Sequence, residues 1–217
     1  MLITTQRVLF LLGLILLTGC AHTSHFTATV YQDQDRVVRL MYVPNANDGR
    51  GYAHPAQLDE TLMDKVLSGI LVGTGNPDPE KAYAPVFTEH ERKQMARLLS
   101  RGLREAGQME VVTFVQVTPA SSWQERVTSG GVFVEGDKLH FILANFQVKQ
   151  AHWQDIEQYD APIETLPLEP VENLPREIIF RPSDAVAEPG PAADDFDPLF
   201  GRAPWHIAIR YNSTLSH

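Results

Sequence analysis

The chain of 217 residues has a single cysteine, Cys20, and no excess of positive charge. One thiol excludes an intramolecular disulfide framework and any cysteine-rich zinc or iron–sulfur centre. Lysine and arginine number 18 against 27 aspartates and glutamates, a formal charge of -9. That balance argues against an electrostatic nucleic-acid binder, which would show a basic face or a high pI. Long apolar runs are also missing. The longest, residues 8–17, holds ten residues and would be roughly 15 Å long as a helix, against a hydrocarbon core of about 30 Å. Motifs of covalent catalysis are absent too: there is no Gly-x-Ser-x-Gly and no Ser-x-x-Lys. What remains is an acidic chain, 43% hydrophobic, long enough to bury a core without staples.

Arg7, the apolar run and then small residues give the three parts of a secretory leader. Leu17-Thr18-Gly19-Cys20 closes it. This tetrapeptide resembles the lipobox of bacterial lipoproteins, with the chain's one thiol at the position that needs sulfur. The resemblance covers the leader alone. It implies that Cys20 receives a diacylglycerol, that cleavage falls before it, and that the new amine is acylated, for instance with palmitate. Residues 1–19 would be the signal peptide, leaving a mature chain of 198 residues from 217. Several acyl chains anchor stably, because each buried CH₂ contributes about 0.8 kcal/mol. Ala21 follows the cysteine where aspartate would signal inner-membrane retention, so the resemblance implies a periplasm-facing outer-membrane protein.

Residues 20–25 read as the lipidated cysteine and a short tether, and 26–159 as one α+β domain. Residues 26–31 and 36–43 are β-branched and aromatic around a polar turn, a hairpin signature. A first helix is expected from Pro55 to a stop at Gly73, through Leu58, Leu62, Val66, Leu67, Ile70 and Leu71. A second runs from Thr88 to Ala106, opened by the capping-box pattern Thr88-x-x-Glu91 and stopped by Gly107. Residues 111–117, 132–134, 139–146 and 206–211 read as strands. Residues 160–204 hold nine prolines, ten acidic residues and three arginines, an irregular acidic excursion with room for a short strand at 178–180. Residues 205–217 would then be a closing strand and tail. The order predicts an α+β fold: a mainly antiparallel sheet with two helices on one face.

Candidate chemistry is thin. Ser129, in Thr128-Ser129-Gly130-Gly131, reads as a turn into a hairpin, with a backbone anion nest as the sharper alternative. His90-Glu91 lacks the second histidine of a zinc-protease motif, since position 94 is Gln94. Asp194, Asp195 and Asp197 lack the glycine and distal glutamate of a calcium loop. Gly73-x-Gly75 is read as following a helix, which removes it as a nucleotide fingerprint. No metal and no cofactor is expected. Trp123, Trp153 and Trp205 flank strands and are read as core or interface packing residues, with a peptide or glycan stacking site as the alternative. The most informative feature is the basic stripe Lys93, Arg97, Arg101 and Arg104, spaced four, four and three along the second helix. It is a solvated face, a contact for anionic lipid or polymer, or a dock for the acidic 160–204 segment. The expected function is that of a non-enzymatic, membrane-anchored protein recruiting or scaffolding an envelope partner, with no nucleic acid involved. The competing classes are a wall hydrolase assembled from His54, Glu89, His90 and His140, and a small-ligand or metal-binding lipoprotein.

Overall fold

The computed structural model describes residues 26–151, 163, 166–171, 177–190, 195–196 and 204–212. The leader, Cys20, the tether, Trp153 and much of the 160–204 segment lie outside the described residues. The fold is α+β. Strands β1 (Phe26–Gln32), β2 (Arg36–Tyr42), β5 (Glu110–Pro119), β6 (Gln124–Glu135), β7 (Lys138–Ala151), β9 (Val186–Ala187) and β10 (Trp205–Arg210) form one sheet. Its order is β1-β2-β5-β6-β7-β10-β9, with antiparallel neighbours throughout. A small antiparallel sheet sets β3 (Ile70–Gly73) between β4 (Tyr83–Pro85) and β8 (Ile178–Phe180).

Helix α1 (Glu60–Gly69) starts at Asp59, whose Oδ1 accepts from the Leu62 N–H at 2.8 Å. A capping carboxylate satisfies an otherwise orphaned donor. The start is therefore Asp59, not Pro55, which lies before the helix behind a cis peptide bond. The end differs from expectation as well. Ile70 and Val72 are buried while Leu71 is half-buried, a period of two rather than 3.6. Gly69 makes that exit feasible: a Cβ there would stand 2.5 Å from the Arg181 carbonyl oxygen and the Phe180 ring. Gly73 consequently ends a strand, but the chain beyond enters only a 3-10 turn at Pro79–Lys81, so no phosphate-binding helix follows.

Helix α2 (Glu89–Glu105) has the expected capping box, with Glu91 Oε2 accepting from the Thr88 N–H at 2.9 Å. Arg92 ties α2 to α1 through both carboxylate oxygens of Asp64, at 2.8 and 3.3 Å. Met63, Val66 and Leu67 of α1 and Met95, Leu99 and Leu103 of α2 share one buried cluster with Leu40, Val112, Phe114, Val132, Phe141 and Ile207 of the sheet. Among the described residues no helix is long and apolar enough to cross a membrane.

The opposite face carries two smaller clusters. One joins Val43, Ala46, Tyr52, Val111, Phe133 and Ile142 with Leu168 and Phe196; the other joins Val37, Val115, Val127 and Val148 with Ile163 and Val171. Ile163, Leu168, Val171 and Phe196 come from the acidic segment, which acts here as a strap across the sheet. Its 178–180 stretch is the expected short strand. Strand β6 begins at Gln124, eight residues before the expected 132, so Ser129 is not in a turn. Gly130 permits this course: a Cβ would fall 2.0 Å from the Ile142 carbonyl oxygen and 2.9 Å from the Phe114 ring.

Candidate functional site

The basic stripe is exposed along the outer face of α2, at Lys93, Arg97, Arg101 and Arg104. Two of its charges are answered by the helix itself: Lys93 Nζ meets Glu89 at 2.6 Å and Arg101 Nε meets Glu105 at 2.7 Å. The described parts of the acidic segment lie on the other face of the sheet, along β3, or at the β10 edge as β9, and the stripe stays exposed.

The residues named for a hydrolase site are dispersed. Glu89 and His90 open α2, near Thr118, whose hydroxyl donates to Glu91 at 2.8 Å. His54 sits by the far end of the same helix, where its surroundings include Gly107. The 17 residues between span roughly 25 Å. His54 is buried, and its Nε2 accepts from the Val134 N–H at 3.1 Å. Burial pushes its pKa down to about 4, against the pull of backbone groups at Gly107 and Glu110. The Nε2 of this neutral ring is occupied by a backbone N–H. His140 is fully buried in β7, stacked on Phe133 at 4.4 Å. Its Nδ1 is hydrogen-bonded to His206 Nε2 at 2.8 Å, and its Nε2 lies 3.5 Å from Glu135, which pairs with Lys138 at 2.7 Å. Burial first, then the charges of His206 and Lys138, push its pKa down to about 3. Among the described residues no group of three or more His, Cys, Asp or Glu is arranged to hold a metal.

What the structure does build is a receptor for the strap. Ser129, fully buried within β6, donates to the Pro167 carbonyl at 2.8 Å and accepts from Asn145 Nδ2 at 2.9 Å. It forms no anion nest. Asn145 also donates to the Glu169 carbonyl and accepts from the Val171 N–H, both at 2.9 Å. A register shift sets Ser129 opposite Asn145 but Gly130 opposite Leu143, and this bulge turns Asn145 toward the strap.

Farther along the face, Asp195 and Phe196 occupy a second seat. Asp195 Oδ2 accepts from the Asn47 backbone N–H and from the Tyr52 hydroxyl, each at 2.8 Å. Phe196 lies 5.5 Å from Phe133, which stacks on Tyr52 at 4.3 Å. Burial, followed by the bond to the Asp195 carboxylate, holds the Tyr52 phenol well above the usual tyrosine range, so it remains a donor. Asn47 is presented by a loop with positive φ at Asn45, Asn47, Asp48, Gly49 and Gly51. Asparagine, aspartate and glycine tolerate that conformation best, so the Asn-Gly-rich 44–51 stretch held the signal for an unusual loop. Nothing local paired it with Asp195.

Of the tryptophans, Trp205 packs against the helical core, whereas Trp123 is 63% exposed at the β5–β6 turn and takes no part in the core. No protein-family model, curated protein or solved structure matches the chain.

Proposed function

We propose that this chain is a lipid-anchored envelope protein that recruits or scaffolds a protein partner without catalysing a reaction. The observation that carries the reading is that the only cysteine falls at the fourth position of Leu17-Thr18-Gly19-Cys20, behind a short apolar leader. Ala21 favours the outer membrane and the periplasmic side. Dispersal of His54, Glu89, His90 and His140 over two ends and two faces supports a binding role over hydrolysis.

The anchor fixes an orientation. Cys20 and Phe26 are six residues apart, a reach of at most about 20 Å. Phe26 pairs with Met41, next to Tyr42 and its partner Glu110, at one end of the sheet. That end stays near the bilayer. The β5–β6 turn with Trp123 lies a ten-residue strand farther out, roughly 33 Å at ordinary strand rise. The stripe and the strap then face sideways, open to neighbouring proteins.

The test is in-cell crosslinking of the anchored chain with mass-spectrometric identification, beside a Cys20→Ser control and fatty-acid labelling. Acyl label on Cys20 and a specific envelope partner lost in the control are expected. Absence of acyl label, or a partner set unchanged by Cys20→Ser, overturns the tethered reading.

A further inference from the structure

We infer that the notch formed by Asn47, Tyr52 and Phe133 is a docking site for a short peptide segment carrying an aspartate followed by an aromatic residue, which Asp195–Phe196 fills in cis. The inference rests on the recruiting function proposed above and assigns it a surface and a partner chemistry.

The notch is built without its occupant. Gly49 N–H donates to the Asn45 carbonyl and Gly51 N–H to the Ala46 carbonyl, both at 3.0 Å, while Asn47 Nδ2 donates to the Gly51 carbonyl at 3.2 Å. Tyr52 N–H donates to the Gln108 carbonyl and Ala53 N–H to the Val134 carbonyl, each at 2.7 Å. These bonds fix the Asn47 N–H and the Tyr52 ring from the body of the domain, and none uses the strap. Both donors reach the same Asp195 oxygen at 2.8 Å, and with the strap seated Tyr52 is 2% exposed and Asn47 7%, so the point of convergence is buried. A buried donor left without an acceptor is costly, and a carboxylate with two lone-pair directions suits a converging pair. Beside that point the Phe133 ring, stacked by Tyr52 and His140, meets the Phe196 ring at 5.5 Å with 31° between planes. The seat therefore reads two adjacent side chains: an acid, then a ring.

The cis occupant is peptide-like. It comes from a segment with nine prolines and ten acidic residues, a composition too polar to build a packed core of its own. A short linear element on a preformed seat is exchangeable, because its retention depends on effective concentration, about millimolar for a flexible intramolecular link. A partner bearing the same pair, brought close on the membrane, competes on those terms.

The test uses the full chain and a labelled peptide with the sequence of residues 192–199, read by fluorescence anisotropy. The D195N/F196A chain, with its fold checked by circular dichroism, is expected to bind the peptide saturably and at least about tenfold tighter than the unmodified chain, whose seat is filled. Adding Tyr52→Phe to that chain should weaken binding about tenfold, and a peptide with the same two substitutions should not bind. A folded D195N/F196A chain that binds the two peptides equally overturns the proposal. Should that variant not fold, peptide titrated to millimolar concentration into the unmodified chain reads the same exchange, and no saturable change overturns it. A concentration-dependent dimer of the unmodified chain without peptide binding would reassign the seat to the strap of a second copy, which also overturns it. Peptide binding in solution is independent of Cys20, so failure here and failure of the tethered reading are separate results.

Discussion

On the helical face of the sheet, Phe114 meets Phe87 at 5.6 Å and Phe141 at 5.7 Å, beneath Met95, Leu99 and Leu103 of a capped helix. On the opposite face, the covering is a loop and a strap, fastened at Asn145, Ser129, Asn47 and Tyr52 by side-chain hydrogen bonds. The same strands serve both faces, so the difference lies in what closes them. Apolar burial by helices is continuous and non-directional. Closure by single polar fasteners over smaller apolar clusters is discrete, and each fastener can be undone alone. The helical face gives the domain its stability, and the strap face gives it a surface that can change.

The largest effect should come from the helical face. Phe114→Ala removes a fully buried ring and is expected to cost about 3–5 kcal/mol. Denaturant unfolding checks it: the midpoint should fall while the transition stays single. A cost below about 1 kcal/mol would mean that the helical face is not the main core, and the contrast between faces would collapse.

Acid should act next. His54 and His140 have folded pKa values of about 4 and about 3, below the ordinary value near 6.5. The fold holds both rings neutral, so their contribution is complete above about pH 6.5 and is lost as pH falls through 6.5 toward those values. Between pH 7 and 5 each ring should withdraw about 2 kcal/mol. Unfolding measured at both pH values checks the drop, and His54→Gln and His140→Gln should each flatten it. A stability independent of pH over this range would show that neither ring is held neutral.

How much of this was legible in the sequence follows the same division. Helix α2 announced itself locally, through Thr88, Glu91 and an apolar stripe, because all its determinants lie within one 17-residue element. The α+β class and the order of the main strands were likewise readable from alternation. Ile70–Gly73 carries helical spacing in the sequence yet forms a strand, because its pairing with β8 draws on residues more than 100 positions away. Strand β6 reads as shorter than it is because Thr128-Ser129-Gly130-Gly131 has loop composition, while the need for glycine comes from Phe114 and Ile142 in neighbouring strands. The strap seat was invisible for a stronger reason. Asn47 and Asp195 are 148 positions apart, and a side-chain-to-backbone bond leaves no periodic trace in either segment.

Asn145 gives the third prediction and isolates a single fastener. Asn145→Ala deletes the donor to Glu169 and the acceptor of the Val171 N–H, two bonds to the strap at 2.9 Å each. The expected cost is about 1–3 kcal/mol, chiefly from polar groups left unpaired. Limited proteolysis should cut near 166–171 before the domain unfolds, a sequence of events that Phe114→Ala should not produce. Simultaneous loss of both faces would mean that the strap and the helices form one cooperative unit.

The smallest effect should come from the feature most conspicuous in the sequence. Arg97→Ala and Arg104→Ala change exposed groups on the outer face of α2 that form no hydrogen bond or ion pair among the described residues. Stability should move by no more than about 0.5 kcal/mol, as is usual for surface positions. The basic stripe therefore separates folding from function more cleanly than any other part of the molecule. If the double variant keeps its unfolding midpoint yet loses a crosslinked envelope partner, the stripe contributes to recruitment. If both are kept, the helical face serves stability alone, and recruitment falls to the strap face and its acid–aromatic seat.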